Sequence, residues 1–229
     1  MENIHYIVLV LFIAAFVMSV ILHEAAHGWM AARCGDYTAE AAGRLSLNPI
    51  RHIDPFYTIL MPIMILVASG GSMIFGGAKP VPVNPYNFRN MEIDDLKVSV
   101  AGVAVNFSIA LVCGYLIHAF APGTVGYTLL TLITVSNLLL GFFNLTPIPP
   151  LDGSHVLRFL LGRVSPELAT AYERIGRFGF IILLLLIYSR ALGGPLVAAV
   201  DFVWYSVLAN GPVHWGDVLF SFASSFRHG

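Results

Sequence analysis

Apolar and polar positions are arranged in long blocks along this chain, not in a short repeating period. From Ile7 to Leu22 scarcely a polar atom interrupts the first block, which extends over Ile4–Ala32. Further apolar blocks occupy Phe56–Phe75, Val98–Ala121, Tyr127–Leu145, Phe178–Leu192 and Pro195–Leu208. A helix needs about 20 apolar residues to cross hydrocarbon, so these blocks read as candidate spans. The last two are short. The stretch "RALGGP" between them reads as a tight turn joining paired helices.

Composition agrees with that pattern. Of 229 residues, 57% are hydrophobic and 11% charged, with a net charge of -1. Mean hydropathy is +0.79. Soluble domains carry about 25% charged residues, so the chain reads as an all-α polytopic membrane protein in the lipid bilayer. We expect about five to six transmembrane helices, with a re-entrant or β-hairpin membrane-embedded segment. The charges gather in Arg33–Asp54, Lys79–Lys97 and Arg158–Arg177, and no charged tail points to a nucleic-acid partner. Cys34 and Cys113 lie far apart and form no CxxC, which suits buried thiols. No basic segment precedes the first apolar block, so it reads as a retained span and not a signal peptide. No repeat or appended soluble domain is evident. The chain reads as one integral-membrane domain, 1–229, with a motif-bearing core at 4–162 and a C-terminal helical pair at 176–210.

Prolines mark two departures from helix. In "GGAKPVPVNPYNFRN" (Gly76–Asn90) each proline pushes the preceding residue out of the helical region. That alternation suits an edge strand or hairpin. In "FFNLTPIPPLDG", Pro147, Pro149 and Pro150 stand directly before Asp152 and break the fourth span. An acidic residue after a broken helix is a common way to build a site at membrane depth.

The densest chemistry is His23-Glu24-Ala25-Ala26-His27 at the end of the first block. Residues i and i+4 share a helix face, so both imidazoles can reach one metal ion. Glu24 projects about 100° from His23 and approaches the metal from the side. In HExxH sites such a glutamate is the general base and then the proton shuttle. Catalytic zinc takes three protein ligands and leaves one position to water. Asp152, an isolated carboxylate after a broken helix, is the candidate third ligand. Two histidines and a carboxylate without purpose are costly in a membrane, about 2.5–3.5 kcal/mol for one central charge. The alternative is that the motif merely ends the span at the interface near Arg33.

These motifs bear a resemblance. "HEAAHG" at the end of an apolar span, "GRLSLNPIRHIDP", "GGAKPVPVNPYNFRN", "AGVAVN" and "NLTPIPPLDGSHVL" together resemble the site-2 protease family of intramembrane zinc metalloproteases, in its compact branch without a PDZ domain. The resemblance implies one zinc ion per chain, with His23, His27 and Asp152 as ligands and Glu24 as catalytic base. The family's G-P-x-x-N is here Gly102-Val103-Ala104-Val105-Asn106, with valine in place of proline. Asn106 is carried over as an oxyanion or substrate contact. The implied activity is hydrolysis of peptide bonds in single-span or signal-peptide-like membrane proteins.

Other polar residues fit around that reading. His155, one turn past Asp152, either orients the carboxylate or is simply a polar residue on an emerging helix. Val83 and Asn84 either pair with an extended substrate by strand addition or belong to a loop that seals the bundle. His52 suits an interfacial turn, and His118 a packed or lipid-interface position. Two rival functions remain from the sequence: a zinc transporter or sensor, and a non-proteolytic relative. A transporter needs polar residues along a path, and Val98–Ala121 offers only Ser99, Asn106, Ser108 and His118.

Arginines set an expected topology. Arg33, Arg44 and Arg51 follow the first motif, and Arg158, Arg163, Arg174 and Arg177 follow Asp152. The positive-inside rule makes that face cytoplasmic. Both site-bearing spans then run inward, so one of the two blocks between them does not cross. Met61–Asn84, with Pro62 and a glycine-rich end, is the expected re-entrant hairpin. The expected map has five spans in the cell membrane, the N-terminus outside and the C-terminus cytoplasmic.

Overall fold

The structure, a computed structural model, describes residues 2–54, 60, 63, 79–210 and 213–226. Among the described residues there are helices and turns but no strand. Three helices are long and apolar enough to cross a membrane, and a bent helix pair adds a fourth candidate. Helix α1, Glu2–Cys34, has 33 residues. Its sequence contains no proline, and its first glycine is Gly28. It stops at Gly35, whose φ of 107° is open to glycine and costly for other residues. At about 1.5 Å per residue it is roughly 50 Å long, more than the apolar block alone requires. The HExxH motif therefore continues the first span as helix.

The chain divides into two compact units, residues 17–102 and residues 1–16 with 103–229. In the first, α1 is followed by the short helix α2, Thr38–Ala41, and a 3-10 turn, Pro49–His52. Residues 79–84 then run without regular structure into a second 3-10 turn, Pro85–Asn87. Helix α3, Met91–Leu116, opens behind Asn90, whose side chain accepts from the Ile93 N–H at 3.1 Å. Ala31, Cys34, Phe88 and Val98 form a small core here, with Met30 and Val83 packed against it. The expected strand over Val81–Val83 is not formed. Pro80 and Pro82 remove two of the donors a ladder needs. Phe56–Phe75 and most of the expected hairpin Met61–Asn84 lie outside the described residues.

In the second unit α3 ends in a 3-10 turn, Ile117–Ala119, and Thr124 caps helix α4, Val125–Asn144. The prolines after Asn144 end α4, and α5 begins at Asp152 and runs to Val164. Ser165 accepts from the N–H groups of Glu167 and Leu168 and starts α6, Pro166–Gly176, with proline at a first-turn position where no donor is missed. These two amphipathic helices pack on each other and carry the arginines. Helix α7, Gly179–Tyr188, and helix α8, Gly193–Phe202, follow. A π-helical turn, Val203–Val207, continues α8, and α9 spans Trp215–Ser224. Trp204, Leu208, Val200, Leu138, Val135 and Ala110 form the larger core.

The C-terminal helices form a pair joined by a short turn and are sharply bent at it. Their axes meet at 81°, as in a broken span. Gly179, at the start of α7, lies against Pro149, beyond the C-terminal end of α4. Leu208 lies against Gly114, and the Tyr115 hydroxyl donates to the Val207 carbonyl at 3.2 Å. The His118 ring donates to the Leu208 carbonyl at 3.0 Å, which gives His118 the packed role expected of it. The bent pair thus runs from one end of α4 to the other. As a result α9 sits at the end that holds the N-terminus. His5, Gly123, Tyr127, Asp217 and Phe222 line one cavity of about 270 Å³ there, and the rings of His5 and Phe226 are in edge contact at 6.3 Å. The two termini share an end of this unit.

Candidate metal centre

His23 and His27 lie one turn apart on α1, and their Nε2 atoms converge to 3.1 Å. Two donors on one tetrahedral zinc, each bonded at about 2.0–2.1 Å, stand roughly 3.3 Å apart. The helix alone therefore sets the pair close to the spacing a shared ion needs. His23 is buried. The Nδ1 of His27 is 2.7 Å from the Val98 carbonyl of α3. A carbonyl can only accept, so Nδ1 carries the proton and Nε2 keeps its lone pair for a metal. This orienting contact has no sequence signature, because it is made by a backbone atom.

Close approach of α3 to the two rings requires a glycine. A Cβ at Gly102 would lie 2.5 Å from His27 Nε2 and 2.7 Å from His23 Cε1. The glycine of "AGVAVN" thus belongs to the centre, whereas the sequence reading gave weight only to its asparagine.

Glu24 Oε2 accepts the Val81 N–H at 3.0 Å. Val81 is buried, and its Cγ1 fits over Gly28, where a Cβ would come within 3.0 Å. The segment 79–84 is tied at both ends. Arg44 donates from Nη2 to the Lys79 carbonyl at 2.6 Å, and the Lys79 N–H donates to the His52 carbonyl at 2.8 Å. At the other end the Asn84 N–H donates to Asp36 Oδ2 at 2.7 Å. Asp36 also accepts from the Asn87 side chain at 2.8 Å and from the Thr38 N–H at 3.1 Å. Burial alone raises the pKa of the Asp36 carboxyl, but the hydrogen bonds from Thr38, Asn84 and Asn87 outweigh it and hold the group below the usual aspartate value. Val83 packs into the small core, and the Asn84 side chain caps the following turn. His52 is buried in its turn, with Nε2 donating to the Ser46 carbonyl at 2.6 Å.

In the second unit Asp152 is the first residue of α5. Its position depends on Gly153, where a Cβ would lie 2.1 Å from the Leu145 carbonyl oxygen. Only glycine lets α5 start so tightly against the end of α4. The proline loop between them is held from the other side. Gly179 meets the Pro149 carbonyl with no room for a Cβ, and the Tyr172 hydroxyl donates to the Pro147 carbonyl at 3.1 Å. His155 lies one turn along α5 from Asp152. Asn106 is fully buried, and its amide donates to Asn137 Oδ1 at 3.4 Å. Asn137, also fully buried, donates in turn to the Ile133 carbonyl at 2.9 Å. The sequence reading passed over Asn137. An asparagine within an apolar block was its only signal.

The chain was compared with known proteins. The family model for peptidase family M50 matches residues 122–187. YwhC of Bacillus subtilis (strain 168) is 37% identical over 183 residues, covering 76% of this chain and 78% of YwhC. Rip2 of Mycolicibacterium smegmatis (strain ATCC 700084 / mc(2)155) is 34% identical over 190 residues, covering 81% of this chain and 69% of Rip2. Both are provisionally named zinc metalloproteases. A protein of Methanocaldococcus jannaschii named zinc metalloprotease is 30% identical over 154 residues, 67% of this chain and 35% of that protein. No solved structure matches the chain significantly.

Proposed function

The chain belongs to peptidase family M50, and on that premise we propose that it is a zinc metalloprotease that hydrolyses peptide bonds of membrane-embedded proteins. The observation that carries the proposal is the donor set. His23 and His27 bring their Nε2 atoms to 3.1 Å of each other one turn apart on α1, and Asp152 is proposed as the third ligand. Two neutral imidazoles and a carboxylate are a donor set suited to catalytic zinc.

Zinc held there supplies Lewis-acid polarisation of the scissile carbonyl and activation of a water. Glu24 takes the proton from the attacking water and delivers it to the leaving nitrogen. Val98, through its carbonyl, keeps His27 in the ligating tautomer. Asn106 is the proposed hydrogen-bond donor to the oxyanion, and His155 the proposed partner that orients Asp152. Val83 and Asn84 are proposed to meet the substrate. That substrate must be locally unwound, since helical peptides hide their carbonyls in i→i−4 bonds. By resemblance the substrates are single-span or signal-peptide-like membrane proteins.

The proposed setting is the cell membrane, crossed four times by α1, α3, α4 and the bent α7–α8 pair. Arginines beyond α1 and α4 put the centre toward the cytoplasmic face. Both termini then lie outside. Zinc stoichiometry of the purified protein, together with cleavage of co-expressed membrane proteins by wild type and Glu24→Gln, tests the function. Zinc-free wild type, or equal cleavage by both forms, would overturn it.

A further inference from the structure

The 79–84 strap crosses α1 at the proposed general base, and its sequence is unusual there. In "KPVPV", Pro80 and Pro82 have no N–H, so Val81 carries the one backbone donor between Lys79 and Val83. That donor is the one bonded to Glu24 Oε2, at 3.0 Å. Each proline also confines the residue before it to extended backbone, which limits how the strap can rearrange. Arg44, itself buried, holds the strap at Lys79, and buried Asp36 holds it at Asn84. Gly28, within the HEAAHG stretch, leaves the space into which Val81 packs.

We infer that the Val81 N–H, isolated between two prolines and fixed by Arg44 and Asp36, is a positioning group for Glu24. It holds Oε2, so the carboxylate cannot rotate freely and presents Oε1 as the proton acceptor. The inference rests on the reading of Glu24 as the general base. Positioning of this kind costs little in substrate binding but governs the chemical step, because a catalytic group must be held within about 0.5 Å of its productive place. Val81 acts on Glu24 through its backbone N–H, while its side chain packs over Gly28.

Two readouts test the inference on the full-length, zinc-loaded protein in detergent micelles. The first needs no activity. Hydrogen exchange at the Val81 amide is followed in peptides spanning Lys79–Val83, where the prolines contribute no amide. Exchange in the wild type is expected to be at least about tenfold slower than in Glu24→Ala. Equal exchange in both overturns the contact. The second compares Val81→Pro and a backbone ester at position 81, which both lack the N–H, with Val81→Ala, which keeps it. The probe is a single-span membrane protein that the wild type cleaves. We expect kcat to be about tenfold or more lower in the two variants lacking the N–H than in Val81→Ala, with KM within about twofold and zinc content unchanged. If Val81→Pro loses zinc, the ester decides. Turnover in the ester equal to or above that of Val81→Ala overturns positioning. Equal cleavage by wild type and Glu24→Gln instead removes the base itself, and the exchange result then still reports on the contact.

Discussion

Gly102 and His27 stand so close that a single added methyl group would strike the imidazole: a Cβ at position 102 would lie 2.5 Å from Nε2. The same methyl would lie 2.7 Å from His23 Cε1. The bare glycine backbone of α3 thus forms one wall of the proposed zinc site. Gly102→Ala should weaken zinc binding on the order of tenfold or more, the scale of a core overpacking of about 1–3 kcal/mol. Competition with a chelator, alongside helix content by circular dichroism, separates this from unfolding. Unchanged affinity would mean that the rings move aside freely.

The proposed ligand set makes a second prediction. Asp152→Ala and His27→Ala should both lose the single zinc measured in purified protein. Glu24→Gln should retain it and lose cleavage, since Glu24 acts as base and not as ligand. Zinc at wild-type stoichiometry in Asp152→Ala would point to another third ligand.

Gly153 carries the third prediction. Its missing Cβ would lie 2.1 Å from a backbone oxygen, which cannot swing aside as a side chain can. Gly153→Ala should therefore displace the start of α5 and Asp152 with it. We expect loss of zinc and a stability decrease of about 1–3 kcal/mol. Gly123→Ala meets no atom within 4 Å but sits at φ 84°, so it should cost only backbone strain and leave zinc binding intact. A zinc-binding loss as large as that in Gly153→Ala would contradict the packing argument.

Acid should release the strap. The Asp36 carboxyl is held below its ordinary value, so it binds fewer protons folded than unfolded as pH falls. Its stabilisation is fully present above the unfolded value of about 3.9 and is lost as pH drops through the lower folded value. Thermal unfolding at successive pH values should show this acid-dependent loss in the wild type and a smaller one in Asp36→Asn. Identical profiles would remove Asp36 from the account.

Topology is open to labelling in a Cys34→Ser, Cys113→Ser background. Cys34 is buried and Cys113 partly buried, both as free thiols, so the double substitution should fold and act nearly normally. New cysteines at Ser46 and Ser165 should then label from the cytoplasmic side, and those at Gly123 and Ser225 from outside. Labelling of Ser225 from the cytoplasm would restore the second C-terminal crossing.

The sequence by itself determined the candidate ligands and the long helices. HExxH fixes the relation of His23, Glu24 and His27 because helix geometry is local, and four prolines and glycines around Asp152 end one helix and start another. Long apolar blocks declare α1, α3 and α4 because a helix satisfies all the backbone groups of one segment in hydrocarbon by itself. Tertiary structure decided what depends on contacts between distant residues. Nothing local to Val98, Gly102 or Val81 states that a carbonyl will set a tautomer, that a missing Cβ will admit an imidazole, or that an amide will hold a carboxylate. The direction of the C-terminal pair was likewise hidden. Block length and a glycine-rich turn cannot tell an antiparallel return from an 81° bend, because that choice rests on Leu208 packing at Gly114 and Gly179 at Pro149, far apart in the chain.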